Sequence, residues 1–303
     1  MCVIAIKYFD DIGWIGAKNR DRNYLPTINI IQSNRKGTQR LYIDDELTRY
    51  TEGLNEYGLC ILSSALSVKD DEKEGDKINP RKLRGNRPDG YMSPDGKTIR
   101  DALLEKNPID AVELIVGREL AGATVVFNQK ECYIIEGGFN IRKDDADKDN
   151  PRKYVHQVKK IEAKDGTFLV RANHGIYIPE LGYQNDSENS DKQKSRDSSE
   201  SRYAIASVGV KQCTDPMEMM NAISNSPKKD KFMNPVRLGN VEKGDMVTTG
   251  QLMLSPKDRT MHYRPIYSQI NVRYNKINNP EAKTFFEIVS SKKLLGFREW
   301  VQS

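Results

Sequence analysis

Residue 2 is a cysteine, and its place in the chain gives it chemistry that no other residue has. A methionine aminopeptidase removes Met1 when the next residue is small, and Cys2 qualifies. The product carries a thiol and a free α-amino group on one residue. The amine titrates at about pH 8 and a free thiol at about 8.5, so the two are nearly matched. The amine can take the thiol proton, directly or through water, and later deliver it to a leaving nitrogen. Such a nucleophile needs a group that holds the amine, a charge that favours thiolate and donors that receive an oxyanion. Lys18-Asn19-Arg20-Asp21 follows Cys2 after one hairpin length. There a carboxylate at Asp21 can accept a hydrogen bond from the α-amino group, and a cation at Lys18 can favour the thiolate.

The elements that must position these residues are legible in outline. Apolar, β-branched segments at 3–7, 14–17, 27–31, 59–66, 124–127, 132–136, 167–171 and 246–254 read as strands. Asn107-Pro108, followed by Ile109, Val112, Val116 and Leu120, predicts a capped helix with an apolar stripe. Thr214-Asp215-Pro216 opens a second, Met-rich helix to about Ser224, and residues 203–210 suggest a third. Strands come early, helices fall in the middle and strands return, an α+β pattern without a regular βαβ rhythm.

Composition narrows the classes. In 303 residues, 48 Lys and Arg against 43 Asp and Glu give a net charge of +5 spread along the chain, which argues against a nucleic-acid partner. No apolar run reaches the roughly 18 residues of a membrane span, and no leader segment is evident. Cys2, Cys60, Cys132 and Cys213 are scattered without a C-x-x-C pair, and only three histidines are present, so no metal site is expected and the chain reads as cytoplasmic with reduced thiols. Cys60 and Cys132 read as inert core thiols, Cys213 as partly exposed, and the Met217–Met220 cluster as packing. A hydrophobic content of 37% leaves room for long polar loops. Residues 69–96 and 184–201 are assigned to two of them, inserted in one domain spanning 1–303. The first opens with eight charged residues in nine and the second has no aliphatic or aromatic residue, so both are expected to be mobile.

Met1-Cys2, Gly16-Ala17-Lys18-Asn19-Arg20-Asp21 and Gly53-Leu54-Asn55-Glu56-Tyr57-Gly58-Leu59 together resemble the N-terminal-nucleophile (Ntn) cysteine hydrolases of the choloylglycine hydrolase and penicillin V acylase type. The isopenicillin N acyltransferase-like enzymes share that plan. The family's Arg-Asn-x-Asp motif is matched by Lys18, Asn19 and Asp21, and its G-x-N-E-x-G-L strand entry by Gly53 to Leu59. Arg171-Ala172-Asn173-His174-Gly175 is similar to the Thr-Asn-His segment, whose Asn lines the oxyanion hole. Ser201-Arg202-Tyr203 is similar to the Ser-Arg-Phe/Tyr segment, whose Arg points into the active site. Residues 124–136 and 248–259 also resemble family hairpins, so the likeness runs from residue 2 to about 265. A different reading of Asn19-Arg20-Asp21 is similarity to an Asn-Arg-Asp-Glu start in proteins that share the N-terminal Cys. Two departures stand out. Lys18 replaces the usual Arg, keeping the charge without the bidentate fork. Leu62-Ser63-Ser64-Ala65-Leu66 lacks the Asn that serves the family as second oxyanion donor, so that donor is left unassigned, with a backbone N–H near Ser64 or Ala65 open to the role.

The resemblance implies a four-layer αββα sandwich and a cysteine-dependent amidohydrolase that cleaves linear amides through an acyl-thioester on Cys2. Asp21 would orient the amine, Asn173 would stabilise the oxyanion, Lys18 and Arg202 would supply positive potential, and His174 would form part of the substrate wall. No metal or organic cofactor is implied. The expected partner is a small N-acyl amide, with homo-oligomerisation left open. The alternatives are an acyltransferase of the same fold and a catalytically silent binding protein.

Overall fold

The chain opens with two strands, β1 (Cys2–Phe9) and β2 (Gly13–Arg22), which form a hairpin in continuous register from Phe9↔Gly13 to Cys2↔Arg20. A computed structural model describes residues 2–66, 94–140, 148–149, 151, 153–277 and 287–289. The hairpin leads into β3 (Thr27–Arg35), β4 (Thr38–Asp45), β5 (Thr51–Asn55) and β6 (Cys60–Ser64). Helices α1 (Pro94–Ala102) and α2 (Pro108–Gly117) follow, then β7 (Gly122–Phe127), β8 (Cys132–Phe139), β9 (Tyr154–Ile161) and β10 (Phe168–Arg171). After α3 (Ser190–Gln212) and α4 (Pro216–Ala222) come β11 (Val247–Ser255), β12 (Thr260–Pro265), β13 (Asn271–Ile277) and β14 (Glu287–Val289).

These strands make two sheets, one in the order β10-β1-β2-β11-β12-β14 and one in the order β13-β3-β4-β5-β6-β7-β8-β9. The pairings are antiparallel except β12 with β14 and β13 with β3. Side chains alternate across a strand, so each sheet has two apolar faces to cover. Ile4, Ile6 and Trp14 from the first sheet meet Leu41, Leu54, Leu62 and Phe127 from the second in a dry layer between them. Val3, Ala5 and Ile15 point the other way and pack against Ala206, Val210, Met219 and Met220 of α3 and α4. Ile61, Val126 and Ile135 cover the far face of the second sheet with Ile99, Leu103, Val112 and Ile115 from the α1–α2 region. The layers therefore run helix, sheet, sheet, helix, which is the expected αββα order. Gly16 sits where the sheets press together: a Cβ there would meet Phe127 and Leu62 within 3 Å.

All eight expected strands are present, and Asn107 caps α2 by accepting from the Asp110 N–H. The tract at 184–201 is a correction. Residues 190–201 are not a mobile loop but the first half of α3, a helix of 23 residues. Asn189 caps it by accepting from the N–H groups of Asp191 and Lys192, and Arg196 pairs with Glu200 one turn on. Its buried face uses Ser198, Ser199 and Arg202 where an apolar stripe would normally stand, so hydrophobic periodicity gave no sign of it. Of the other assigned loop, 69–93 lie outside the described residues, while 94–96 open α1. Cys213, expected to be partly exposed, is buried. Among the described residues no helix is long and apolar enough to cross a membrane.

Candidate active site

Register brings the site together at one end of the first sheet. In the β1–β2 hairpin Cys2 lies opposite Arg20 and Ile4 opposite Lys18. On the other edge of β1, Ile4 pairs with Arg171, so Asn173, two residues on, comes level with Cys2. The Cys2 nitrogen donates to Asn173 Oδ1 at 2.9 Å, and Arg202 Nη2 donates to the same oxygen at 3.1 Å. Asn173 Nδ2 in turn donates to the Ala65 carbonyl at 2.7 Å, which ties the site to the end of β6 in the facing sheet. Of the two N–H groups of that amide, one is thus engaged and the other has no partner among the described residues.

Alternation along β2 sorts the remaining charges. Lys18, Arg20 and Arg22 share the face that looks into the gap between the sheets, where a bare charge would be strongly disfavoured. The facing sheet supplies carboxylates. Lys18 Nζ donates to Glu52 and to the Ser63 carbonyl, Arg20 lies 3.5 Å from Glu52 and 3.9 Å from Asp45, and Arg22 Nε donates to Asp45 at 3.0 Å. Three cations thus face two carboxylates among the described residues. Cys2 lies on the same face of the hairpin, and a thiolate there balances the count. Burial pushes the Cys2 thiol up, but Lys18, the amino terminus and Arg22 outweigh it, and the thiol ends below its ordinary value. The other cysteines go the opposite way. Burial raises Cys60 and Cys132, and raises Cys213 to about 11.

Asp21 points to the helix-covered side. Thr248, its partner across β11, donates to Oδ1 at 2.8 Å, Arg202 Nη1 donates to Oδ2 at 3.4 Å, and Arg237 lies at 3.9 Å. Sequence reasoning makes Asp21 the holder of the amine. The structure gives the first contact with the Cys2 nitrogen to Asn173 and sets Asp21 behind it, connected through Arg202. An amide nitrogen has one N–H to give, whereas an α-ammonium has three, so a freed amine has donors left for a second acceptor. Burial, with the like charge of Arg202, lowers Arg237 to about 9. Its guanidinium stacks 3.9 Å from the Phe232 ring, at the edge of a cavity of about 800 Å³ that Cys2 does not line.

His174 is fixed to α3. Ser199 Oγ accepts from the Asn173 N–H at 2.8 Å and lies 2.8 Å from His174 Nδ1, a hydrogen bond whose direction follows the ring's tautomer. Burial and the positive charge of Arg196 lower His174 to about 4, so the imidazole is neutral near pH 7. The ring edge meets Tyr203. Asn19, from the same motif as Lys18 and Asp21, donates to the carbonyls of Ile223 and Pro235 and accepts from Gln251, a structural anchor.

Glu52, Asp45, Thr248, Arg237 and Ser199 went unread in the sequence. One signal was there. Lys18, Arg20 and Arg22 recur with period two in a strand, which puts three cations on one face and calls for carboxylates opposite. Among the described residues no three His, Cys, Asp or Glu side chains gather as a metal-ligand set.

No family model and no curated protein matches the chain. Among solved structures it is similar to penicillin V acylase from Agrobacterium tumefaciens, with 9% identity, a TM-score of 0.44, and 88% of this chain and 86% of that chain covered. It is also similar to the C2A mutant of the conjugated bile acid hydrolase from Clostridium perfringens, with 12% identity, a TM-score of 0.46, and coverage of 89% and 91%.

Proposed function

We propose that the protein is a cysteine-dependent amidohydrolase that cleaves linear amides of small N-acyl compounds, with Cys2 as its N-terminal nucleophile. The observation that carries this reading is the contrast among four buried thiols: only Cys2 is lowered, and its own nitrogen is already held at 2.9 Å by Asn173. Once Met1 is removed, that nitrogen becomes the α-amine. It accepts the thiol proton, and Sγ attacks the amide carbonyl to give a tetrahedral oxyanion. The free N–H of Asn173 and a backbone N–H at the end of β6 are the donors within reach of that role. Collapse of the intermediate breaks the C–N bond, and the α-ammonium protonates the leaving nitrogen. Water, deprotonated by the same amine, then attacks the thioester and releases the acid. Lys18 and Arg202 keep the surroundings positive throughout, and Asp21 fixes Arg202.

The test is mass spectrometry of purified protein, followed by incubation with a panel of N-acyl amides of different chain length. Loss of Met1, together with an acyl adduct on Cys2 that forms and decays, is the expected result, and Cys2→Ala should abolish turnover. Retained Met1 with no adduct from any amide would favour the silent binding protein instead.

A further inference from the structure

Strand β10 ends at Arg171, two residues short of Asn173, so the sheet does not itself fix the Asn173 side chain. Between β10 and α3 the chain forms a closed loop. Gly175 N–H donates to the Leu181 carbonyl at 2.8 Å, Tyr183 N–H donates to the Asn173 carbonyl at 2.9 Å, and His174 bridges to Gly182. At the centre of this loop lies a carboxylate from the other sheet. Glu136, in β8 and wholly buried, accepts at Oε2 from the N–H groups of Ile176, Tyr177 and Ile178 at 3.0, 2.7 and 3.1 Å. Its Oε1 is paired with Arg171 Nε at 3.1 Å. The carboxylate therefore holds the chain two residues before Asn173 and again three to five residues after it.

The seat around this contact is close-fitting. The Tyr177 ring lies 3.9 Å from Lys159 Nζ and 4.5 Å from the Arg171 guanidinium. A Cβ on Gly138 would meet Leu181 at 2.7 Å, and one on Gly175 would run into the Ile178 carbonyl. Three successive N–H groups converging on one point form a concavity for an anion, and a carboxylate is the side chain that satisfies them together with a guanidinium.

We propose that Glu136 is a positioning residue for the site: by clamping the chain on both sides of Asn173 it sets the amide against the Cys2 nitrogen. This rests on the reading of Cys2 as nucleophile, so the test includes a measurement that needs no turnover. Glu136→Gln keeps the shape but turns an N–H group toward donors. In the ¹⁵N-labelled full chain, the Asn173 side-chain amide resonance, assigned by its loss in Asn173→Asp, should shift or broaden, and the amides of 176–178 should exchange faster. For an amide that the wild type cleaves, kcat should fall about 10²-fold, as for a misplacement of about 1 Å. KM and the rate of Cys2 alkylation should stay unchanged, which a general loss of folding would not give. An unmoved Asn173 resonance with faster exchange at 176–178 would overturn the proposal. If the wild type cleaves no amide, the hydrolase reading fails while the resonance still decides the role of Glu136. If Glu136→Gln does not fold, Arg171→Lys keeps the charge and loses the fork, and should move the same resonance by less; no movement there would equally overturn the proposal.

Discussion

The two halves of β2 are almost equally buried and chemically opposite. Residues 13–17 carry Trp14 and Ile15 into dry layers on either side of the sheet, while residues 18–22 carry three cations and a carboxylate. The same backbone thus passes from an oil-like interior to a charged one within a few residues. What changes is the facing sheet. Opposite the first half it presents Leu62 and Phe127, and opposite the second Glu52 and Asp45. Desolvation makes buried charges tolerable only when each is met, and here they are met with one positive charge in excess. An apolar half needs only shape, whereas the charged half needs a matching count, and two of its cations, Lys18 and Arg22, act with the amino terminus to lower the Cys2 thiol.

That contrast breaks most sharply at Lys18. Replacing it with Met leaves Glu52 buried without its closest cation, and the cost should be about 3–5 kcal/mol in urea unfolding. Leu62→Ala in the dry half should cost a comparable 2–5 kcal/mol, roughly what a buried leucine loses. The two should part company in chemistry: iodoacetamide labelling of Cys2 at neutral pH slows in Lys18→Met and is unchanged in Leu62→Ala. Equal labelling rates would make the Lys18–Glu52 pair purely structural. Next in size, Asn173→Ala should raise the barrier by about 3 kcal/mol if its amide serves the oxyanion. The loss should appear in kcat; a loss confined to KM would move Asn173 to substrate binding.

The smallest effect sharpens the contrast from the side of α3. His174 titrates at about 4 in the fold against 6.5 in a free chain, so the unfolded state takes up a proton first as pH falls. Stability from keeping it neutral is complete above pH 6.5, declines as pH drops, and is gone below about 4, roughly 3 kcal/mol in all. Urea unfolding of wild type and His174→Gln should show the wild type losing ground to the variant across that window. Parallel curves would mean that burial and Arg196 do not hold the imidazole neutral.

Legibility in the sequence followed the same division. Segments whose burial is apolar announced themselves: β1, β7, β8 and β11 are runs of Val, Ile, Leu and Met. Strand β4 did not, because its Arg40, Asp44 and Asp45 are buried charges that read as surface. Strand β9 hid for another reason, since it is a sheet edge and its alternation is broken by His156, Lys159 and Lys160. The polar half of α3 was invisible to any search for an apolar stripe. Short motifs led to Cys2, Lys18, Asp21, Asn173 and Arg202, which the fold gathers at one end of a sheet. The sequence held no comparable sign that Glu52 would meet Lys18 or that Asn173 would stand nearest the nitrogen, because both facts come from register between distant strands.

Strand β1 is an interior strand of its sheet, with β2 on one side and β10 on the other, and this sets an order of events during synthesis. Cys2 is made early, yet the acceptor for its nitrogen lies 171 residues downstream and the threonine that donates to Asp21 lies 227 residues beyond that aspartate. At about 5–20 residues per second, the ribosome takes roughly 10–30 s to deliver Asn173 after Cys2. On the proposed function, that interval leaves the Cys2 nitrogen without its Asn173 acceptor and open to a processing peptidase. On the function proposed above, reactivity at Cys2 waits for the strand that leads to Asn173, so a product terminated before it should carry the cysteine without the chemistry.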